Sequence, residues 1–285
     1  MFLNPEEQKE GKLIKASLIF AFFLIFAFFK NLHILFPNWN ASVTFFSAGN
    51  GDASLIEIKG GKQVLIDGGR DKSLLFYLGE RMNFFDRKIE LIVLTHPDID
   101  HLTSFIEILE RYKVESVLLN SDRDETPAFQ LFEENLEKNG TKLFFSSSVD
   151  KINLGKNITL EVLFPKEKDL EVLDTRNKNN RSIVLRLMKN NQPAVLFTGD
   201  IEPDGIFRIN EEKLKAPVLK ISHHGSRKNT NEKVLDIVNP NFAVISAGEK
   251  NPYGHPHQEV LDILEMRKIK IIDLRKSEFW EIKLD

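Results

Sequence analysis

Short apolar runs separated by glycine-rich turns dominate the chain from residue 42 onward. The runs at 43–46, 54–58 and 63–67 are divided by Gly49-Asn50-Gly51-Asp52 and Gly60-Gly61, a pattern typical of antiparallel hairpins. Further along, apolar runs alternate with segments whose apolar residues recur at helical spacing. We therefore expect an α/β (α+β) fold, with two sheets packed together and helices outside, as one domain over residues 42–285.

A second apolar pattern lies near the amino terminus. Residues 16–29 contain one polar residue, Ser17, and as a helix they would measure about 21 Å. Extension through Leu35-Phe36 brings the segment to the ~30 Å of a bilayer core. A cleaved signal peptide or a buried core helix is less favoured, because neither a small-residue cleavage site nor a polar face is visible. The pattern predicts a transmembrane anchor at 13–36 after a cytoplasmic tail at 1–12.

The charges that flank this segment predict its orientation. Lys9, Lys12 and Lys15 precede the apolar run, whereas only Lys30 follows it closely. Because cytoplasmic flanks carry the excess of lysine and arginine, the amino terminus should be cytoplasmic. We expect a single-pass protein of the cell membrane whose large domain is extracytoplasmic.

Composition narrows the possible chemistry. The 285-residue chain has no cysteine, which excludes disulfides, thiolate metal sites and cysteine nucleophiles. Its net charge of −3 provides no general attraction to nucleic acid, so such binding would depend on a local patch. Four basic residues near a histidine pair offer a modest one: Lys215, Lys220, Arg227 and Lys228.

The densest cluster of reactive side chains follows the apolar run at 91–94. The segment Thr95-His96-Pro97-Asp98-Ile99-Asp100-His101 carries two imidazoles and two carboxylates, and we expect a tight loop before a helix that starts at Leu102. Imidazole and carboxylate together are the ligands of zinc, manganese or ferrous iron. The more ordinary interpretation is a polar loop that caps the helix. Recurrence of the same residue types at other strand ends favours a metal site.

Those other strand ends carry Asp67, Asp200, the pair His223-His224, and His255. Asp67 either points at the same sheet edge as His96 or caps a turn. Asp200 is a candidate to bridge two cations. Since adjacent residues of an extended chain point to opposite sides, we expect one histidine of the pair to be a ligand. His255 lies in a rigid loop. It is a candidate to bind a metal, to hold a metal ligand in place, or to contact a phosphate of the substrate.

Taken in order, these segments resemble the metallo-β-lactamase fold hydrolases, and among them the soluble domain of ComEC-type competence proteins, the DNA-uptake channel family. The resemblance runs from about Val43 to the carboxyl terminus and implies a four-layer αββα sandwich with a two-metal site. The motifs that carry it, besides the Thr95–His101 segment, are Gly49-Asn50-Gly51-Asp52, Leu65-Ile66-Asp67-Gly68-Gly69, Asn179-Asn180-Arg181-Ser182, Phe197-Thr198-Gly199-Asp200, Ser222-His223-His224-Gly225-Ser226 and Tyr253-Gly254-His255-Pro256.

The resemblance implies a role for each candidate residue. His96 and Asp98 would bind the first metal, Asp100 and His101 the second, and Asp200 would bridge them. His224 matches the family pattern better than His223, and both remain candidate ligands. Asp100 and Asp200 are the catalytic candidates, because either could orient the attacking hydroxide. The substrate-binding candidates are Asp67, Asn180, Ser182, Ser226 and His255.

The chain also departs from the family pattern. Asp98 stands where the wider superfamily has a second histidine, and the segment 179–182 stands where a further histidine is usual. Oxygen ligands in place of nitrogen shift the preference from zinc toward manganese. Thr103-Ser104 replaces a glycine pair, and one candidate span replaces the long membrane channel.

The function implied is hydrolysis with two divalent ions, zinc or manganese. We expect a membrane-anchored phosphodiesterase or nuclease that acts on DNA, or on another phosphodiester, beside a separate DNA-uptake channel protein. One alternative is a hydrolase of another phosphoester or ester. Another is a non-catalytic, membrane-tethered accessory protein with a degenerate metal site.

Overall fold

The computed structural model describes residues 13–26, 40–83, 85–122, 124–174 and 176–285. Its strands are β1 (Ala41–Phe46), β2 (Ala53–Ile58), β3 (Lys62–Gly68), β4 (Lys88–Leu94), β5 (Lys113–Leu119), β6 (Lys142–Phe145), β7 (Lys151–Gly155), β8 (Ile158–Phe164), β9 (Val184–Lys189), β10 (Gln192–Phe197), β11 (Val218–Lys220), β12 (Phe242–Ile245), β13 (Lys270–Asp273) and β14 (Phe279–Leu284). Its helices are α1 (residues 13–26), α2 (Ser73–Arg81), α3 (Ile99–Arg111), α4 (Pro127–Asn139), α5 (Glu167–Leu170), α6 (Pro203–Ile206), α7 (Glu211–Leu214), α8 (Glu232–Val238) and α9 (Gln258–Met266).

The strands form two seven-stranded sheets. The first has the order β14-β1-β2-β3-β4-β5-β6, and the second has the order β13-β12-β11-β10-β9-β8-β7. In each sheet an antiparallel part leads into a parallel part, which begins at β3 in the first sheet and at β10 in the second. The two-sheet architecture predicted from the sequence is confirmed. It places the carboxyl ends of the parallel strands at one edge of each sheet.

Three apolar clusters define the layers. The central cluster lies between the sheets, where Phe45 of β1 packs on Phe197 of β10 with ring centroids 5.7 Å apart. A second cluster joins the first sheet to α2, α3 and α4, and includes Phe105 and Phe132. A third joins the second sheet to helices that include α8 and α9, with Leu264 as one member. The layers therefore run helix, sheet, sheet, helix, as expected.

The predicted strands at 43–46, 54–58 and 63–67 are confirmed as β1, β2 and β3. The predicted helix start at Leu102 is wrong, because α3 begins at Ile99. Asp98 has the extended backbone of an N-cap residue, and Asp100 adds a negative charge to the first turn, where the helix dipole favours it. Asp100 and His101 consequently lie on a helix instead of in a loop.

The predicted membrane anchor is only partly described. Residues 13–26 form α1, whose large apolar side chains, such as Phe20 and Phe23, are exposed. Among the described residues, none of the helices has both the length and the apolar character that crossing a membrane requires. The tail at 1–12 and the remainder of the anchor, 27–36, lie outside the described residues. The anchor stays a prediction.

Candidate metal centre

Most groups of the candidate centre come from the carboxyl ends of strands. Asp67 closes β3 and His96 follows β4, its parallel neighbour in the first sheet. Asp200 follows β10, and the pair His223-His224 follows the parallel neighbour β11 in the second sheet. The two sheets therefore each contribute half of one site.

The carboxylate of Asp200 is at the middle of this site. Its Oδ2 atom lies 3.5 Å from Nε2 of His101, 3.7 Å from Nε2 of both His223 and His224, and 4.0 Å from Nε2 of His96. Asp200 is only 3% exposed. One buried oxygen is thus surrounded by four imidazoles from both sheets, which is an environment suited to a carboxylate shared by two cations.

Asp98 and Asp100 extend this cluster into two groups of ligands. Oδ2 of Asp98 lies 3.7 Å from Nε2 of His96, and Oδ2 of Asp100 lies 3.7 Å from Nε2 of His224. Within the sets His96–His101–Asp200 and Asp100–His101–His224, one donor atom per residue lies within 4.8 Å of the others. The two sets share His101, Asp200 belongs to the first of them, and Asp98 lies beside His96.

Several of these atoms have no partner within the described part of the chain. Nε2 of His96, His101 and His224 and Oδ1 of Asp200 are all buried without a hydrogen bond. Each such atom costs about 1–3 kcal/mol, so four of them in one place require an explanation. Imidazole nitrogen and carboxylate oxygen are the donors that divalent transition metals prefer. The donor set therefore fits bound divalent cations.

The other ring nitrogen of each histidine is held by a specific partner. Nδ1 of His101 contacts Oδ2 of Asp67 at 2.9 Å, and Nδ1 of His224 donates to the carbonyl of Ser246 at 2.8 Å. Nδ1 of His96 lies 3.1 Å from the hydroxyl of the preceding threonine. Contacts of this kind fix the orientation of the ring, so that Nε2 faces the centre.

Asp67 lies at the sheet edge that carries His96, and its carboxylate is engaged by groups of the protein itself. It is 1% exposed, and besides His101 it accepts hydrogen bonds from the backbone N–H and the hydroxyl of Thr95, at 2.8 and 2.9 Å. Both carboxylate oxygens are therefore used within the protein. These contacts favour a role in positioning His101 over the predicted contact with substrate.

Asp52 belongs to the site and was not predicted. Its Oδ2 pairs with Nζ of Lys220 at 2.5 Å, and its Oδ1 lies 3.2 Å from Nδ1 of His224, whose hydrogen bond is directed at Ser246. Burial alone would raise the pKa of Asp52, but Lys220 together with His224 and His101 outweighs burial and lowers it. Lys220 is 3% exposed, so its predicted place in a surface phosphate patch is wrong. A lysine within the apolar strand β11 was the signal for a buried carboxylate partner.

Opposite charges dominate the protonation of the centre. Burial alone would raise the pKa of Asp200 and lower those of His101 and His224. Attraction between opposite charges prevails. The histidines hold the pKa of Asp200 well below its usual value, and Asp67 with Asp200 holds that of His101 well above. The pKa of His224 is raised to about 10. Without a metal, His101 and His224 therefore carry protons that a cation must displace.

His96 and the two acidic residues of its segment, Asp98 and Asp100, differ in how the protein shifts their pKa values. Burial, with a contribution from the positive charge of His101, lowers the pKa of His96 to about 4, which leaves its ring neutral. Burial raises the pKa of Asp98 despite Lys178 nearby. For Asp100 the attraction of His224 and His101 outweighs burial and lowers the pKa to about 2. The neutral His96 and the ionised Asp100 are in the forms that metal ligands require.

His223 and His224 both reach the centre. The expectation that only one of them is a ligand assumed an extended backbone, and this segment does not have one. Both residues have left-handed φ angles, 47° and 55°, so successive side chains do not alternate. Both Nε2 atoms lie 3.7 Å from Oδ2 of Asp200, although His224 is buried and the side chain of His223 is 31% exposed. Which of them binds metal stays a prediction.

The predicted substrate-binding residues differ in access to solvent. His255 lines the cleft above the centre. Asn180, Ser182 and Ser226 are 8%, 0% and 4% exposed and lie below the cleft surface. The hydroxyl of Ser182 is 3.4 Å from Nδ1 of His96 and accepts a hydrogen bond from the backbone N–H of Asp200 at 3.2 Å. Ser182 therefore supports the ligands from beneath.

An open cleft of about 670 Å³ leads to the centre. Asp98, Asp100 and Asp200 lie at its floor side, and Arg70 and Lys178 add positive charge. Nζ of Lys178 pairs with Asp124 and lies 3.7 Å from Asp98. The cleft is accessible to a large, negatively charged ligand.

Comparison with known proteins gives relatives in sequence and structure. The chain is 31% identical over 228 residues to ComE operon protein 3 of Bacillus subtilis, covering 74% of this chain and 28% of that protein. It is 30% identical over 238 residues to Recombination protein 2 of Haemophilus influenzae, covering 81% of this chain and 27% of that protein. The chain thus spans less than a third of the length of either relative.

The structural comparison identifies the fold. The metallo-beta-lactamase fold protein YhfI from Bacillus subtilis superposes with a TM-score of 0.56 at 12% identity, covering 85% of this chain and all of that one. The family model of the metallo-beta-lactamase superfamily matches residues 47–249, which include the candidate metal ligands from His96 to His224. With its two half-sites on paired sheets and this match, the chain belongs to the metallo-β-lactamase superfamily.

Proposed function

We propose that this chain is a metal-dependent phosphodiesterase that cleaves DNA in a DNA-uptake role. The observation that carries the proposal is the convergence of four imidazole Nε2 atoms on Oδ2 of Asp200 beneath an open cleft. Bound divalent cations would lower the pKa of a water molecule and neutralise charge on a phosphoryl group. The similarity to a ComE operon protein and to a recombination protein supports DNA as the substrate.

In this proposal the chain holds two cations. One group is His96, Asp98 and Asp200, with His223 beside it, and the other is Asp100, His101, His224 and Asp200. Asp67 and Asp52 act by positioning His101 and His224, because each carboxylate lies against an Nδ1 atom and not in the cleft. In this division, each residue either binds a cation or positions a residue that does.

His255 is the proposed contact with a phosphate oxygen. Burial, with the nearby His223, lowers the pKa of His255 to about 4, so its ring is neutral at physiological pH. A neutral imidazole can donate one hydrogen bond to a phosphate oxygen without placing another positive charge beside the cations. Arg70 at the cleft would balance the remaining phosphate charge.

The test uses the purified full chain with manganese or zinc. We expect cleavage of single- or double-stranded DNA, and a loss of more than about 100-fold in Asp100→Ala and Asp200→Ala, since loss of an outer partner alone costs 10–100-fold. The matched control is Asp71→Ala, an exposed carboxylate bonded to the N–H of Ser73, which should retain activity. Circular dichroism checks that each variant is folded.

Two results would contradict the proposal in different ways. Tight binding of metal with hydrolysis of other esters but no DNA cleavage would indicate a hydrolase of another class. Less than one equivalent of bound transition metal would indicate a non-catalytic accessory protein.

We also propose that the segment at 13–36 anchors the chain in the cell membrane, with the hydrolase domain outside the cytoplasm and beside a separate channel protein. The exposed apolar side chains of α1 support insertion into a membrane. The lysines at 9, 12 and 15 support the orientation with the amino terminus in the cytoplasm. The full chain should sediment with membranes, and protease added to intact spheroplasts should degrade the domain. Recovery in the soluble fraction, or protection from protease, would contradict it.

A further inference from the structure

We propose that Tyr253 and Arg70 form a subsite for an unpaired nucleotide, in which the base stacks on Tyr253 and Arg70 binds a backbone phosphate. The inference rests on the proposed function and names its substrate class as single-stranded nucleic acid or a frayed end. Both residues line the same cleft as Asp100 and Asp200.

Tyr253 is an exposed aromatic residue that lines the cleft leading to the candidate metal centre. Its side chain is 60% exposed, and within the described part of the chain its hydroxyl makes no hydrogen bond. The ring stacks against His255, with centroids 5.8 Å apart and an interplanar angle of 27°. The imidazole supports the ring from inside the protein and leaves it accessible from the cleft.

The loop that carries Tyr253 is tied down on both sides. The side-chain amide of Asn251 donates to the carbonyls of Gly248 at 2.9 Å and His255 at 2.6 Å, and its oxygen accepts the N–H of His255 at 2.8 Å. The backbone N–H of His257 donates to the carbonyl of Gly225 at 3.0 Å. Because this loop is already ordered, binding to Tyr253 does not have to immobilise it.

Arg70 supplies a cation that the protein itself does not neutralise. It is exposed, directly follows the Gly68-Gly69 end of β3, and has no carboxylate partner among the described residues. Lys178 across the cleft, in contrast, is paired with Asp124. A guanidinium is always charged and matches phosphate with two parallel hydrogen bonds, so Arg70 is suited to a phosphodiester.

Arg70 and the Tyr253 loop both adjoin the 49–52 turn. The side-chain oxygen of Asn50 accepts the N–H of Gly248 at 2.8 Å, which joins this turn to the Tyr253 loop. A Cβ atom at Gly49 would lie 3.9 Å from Cβ of Arg70, so the same turn borders the arginine. A cation and an aromatic ring in one cleft present the two contacts that a nucleotide requires.

The aromatic ring selects a base that is not stacked in a duplex. In double-stranded DNA both faces of each base are covered by its neighbours, so a base must leave the stack before it can lie on Tyr253. Every base has an aromatic face, so the subsite would have little sequence preference. Phosphodiesters that lack a base would gain nothing from the tyrosine.

The test measures KM and binding for the full chain, Tyr253→Phe and Tyr253→Ala with manganese. The substrates are a single-stranded oligonucleotide, the same strand with abasic positions, and its duplex. Tyr253→Ala should raise KM for the intact strand roughly five- to hundredfold, and Tyr253→Phe should not. The abasic strand should bind wild type and Tyr253→Ala alike. The wild type should bind the duplex more weakly than the single strand.

Arg70→Ala provides the second arm of the test. It should raise KM for intact and abasic strands to the same extent and reduce the salt dependence of binding. The matched control is Arg111→Ala, because Arg111 is an exposed arginine at the end of α3, away from the cleft lining, and pairs with Glu107 at 3.1 Å. Arg111→Ala should leave KM unchanged.

Binding of a non-hydrolysable phosphorothioate strand separates this inference from the proposed function. If the wild type binds the strand but cleaves no DNA, the proposed hydrolysis is wrong, and a Tyr253-dependent affinity still supports the subsite. If Tyr253→Ala binds the intact strand like the wild type, the subsite is wrong even when cleavage is observed. An equal effect of Tyr253→Ala on intact and abasic strands would also overturn it, because the tyrosine would then only support the loop.

Discussion

The contacts of Asp67 predict the outcome of Asp67→Asn in detail. Oδ1 of Asp67 accepts the backbone N–H of Thr95 at 2.8 Å, and Oδ2 lies 2.9 Å from both the hydroxyl of Thr95 and Nδ1 of His101. The substitution removes the charge and keeps the shape. Asparagine also tolerates the left-handed backbone that Asp67 adopts, with φ of 58°.

The expected magnitude follows from the chemistry of the amide. An asparagine has one acceptor oxygen, so when that oxygen faces His101 its NH₂ group opposes the N–H of Thr95. In the other orientation the NH₂ group faces Nδ1 of His101. It then favours the tautomer whose proton is on Nε2, and that tautomer cannot bind a metal through Nε2. Either way a buried donor loses its acceptor, which should lower the free energy of unfolding by about 1–3 kcal/mol. We expect metal affinity to fall about 10- to 100-fold.

Calorimetric titration with manganese or zinc, together with urea denaturation, measures both effects. Asp71→Asn is the matched control, because Asp71 is exposed and its carboxylate accepts the N–H of Ser73. The control should bind metal like the wild type. If Asp67→Asn keeps the wild-type metal affinity and only raises KM, then Asp67 contacts substrate and the positioning role is refuted.

Two further predictions concern charge within the fold. Lys220→Met leaves Asp52 buried without its cation and should lower the free energy of unfolding by about 3–5 kcal/mol in urea denaturation. Lys215→Met, which breaks an exposed pair with Glu212, should cost less than about 1 kcal/mol, and equal losses would contradict the buried pair. Metal binding at pH 7.5 should release at least about one proton, because His224, with its pKa raised to about 10, must lose one first. Affinity should therefore rise with pH, and calorimetry in buffers of different ionisation enthalpy measures the release. A pH-independent affinity would show that His224 is already neutral.

Local sequence patterns sufficed to predict regular elements such as β1 to β3 and the imidazole and carboxylate residues of the Thr95–His101 segment. The strands β1 to β3 were readable because apolar runs alternate with glycine turns. The Thr95–His101 segment was readable because imidazole and carboxylate crowd after a buried run. The edge strands β6 and β7 were not predicted. β6 is exposed at every position and is a strand through its pairing with β5, a partner that its own sequence does not reveal.

The arrangement of the site depends on contacts between distant parts of the chain. Asp52 meets Lys220 across the two sheets, and β14 at the carboxyl end pairs with β1 at the start of the domain. The backbone of His223 and His224 turns left-handed, which brings both rings to Asp200 and contradicts the extended chain that was assumed. Burial likewise directed Ser182 and Asp67 inward, although both residue types are commonly exposed.

The amino-acid sequence by itself determined which residues can ligate a metal and where the apolar strands such as β1 to β3 lie, because both properties are local. The tertiary structure alone decided which of those residues share a site, which face the cleft, and which hold others in place. Such relations depend on how two sheets pack, and packing joins residues that are far apart in the chain.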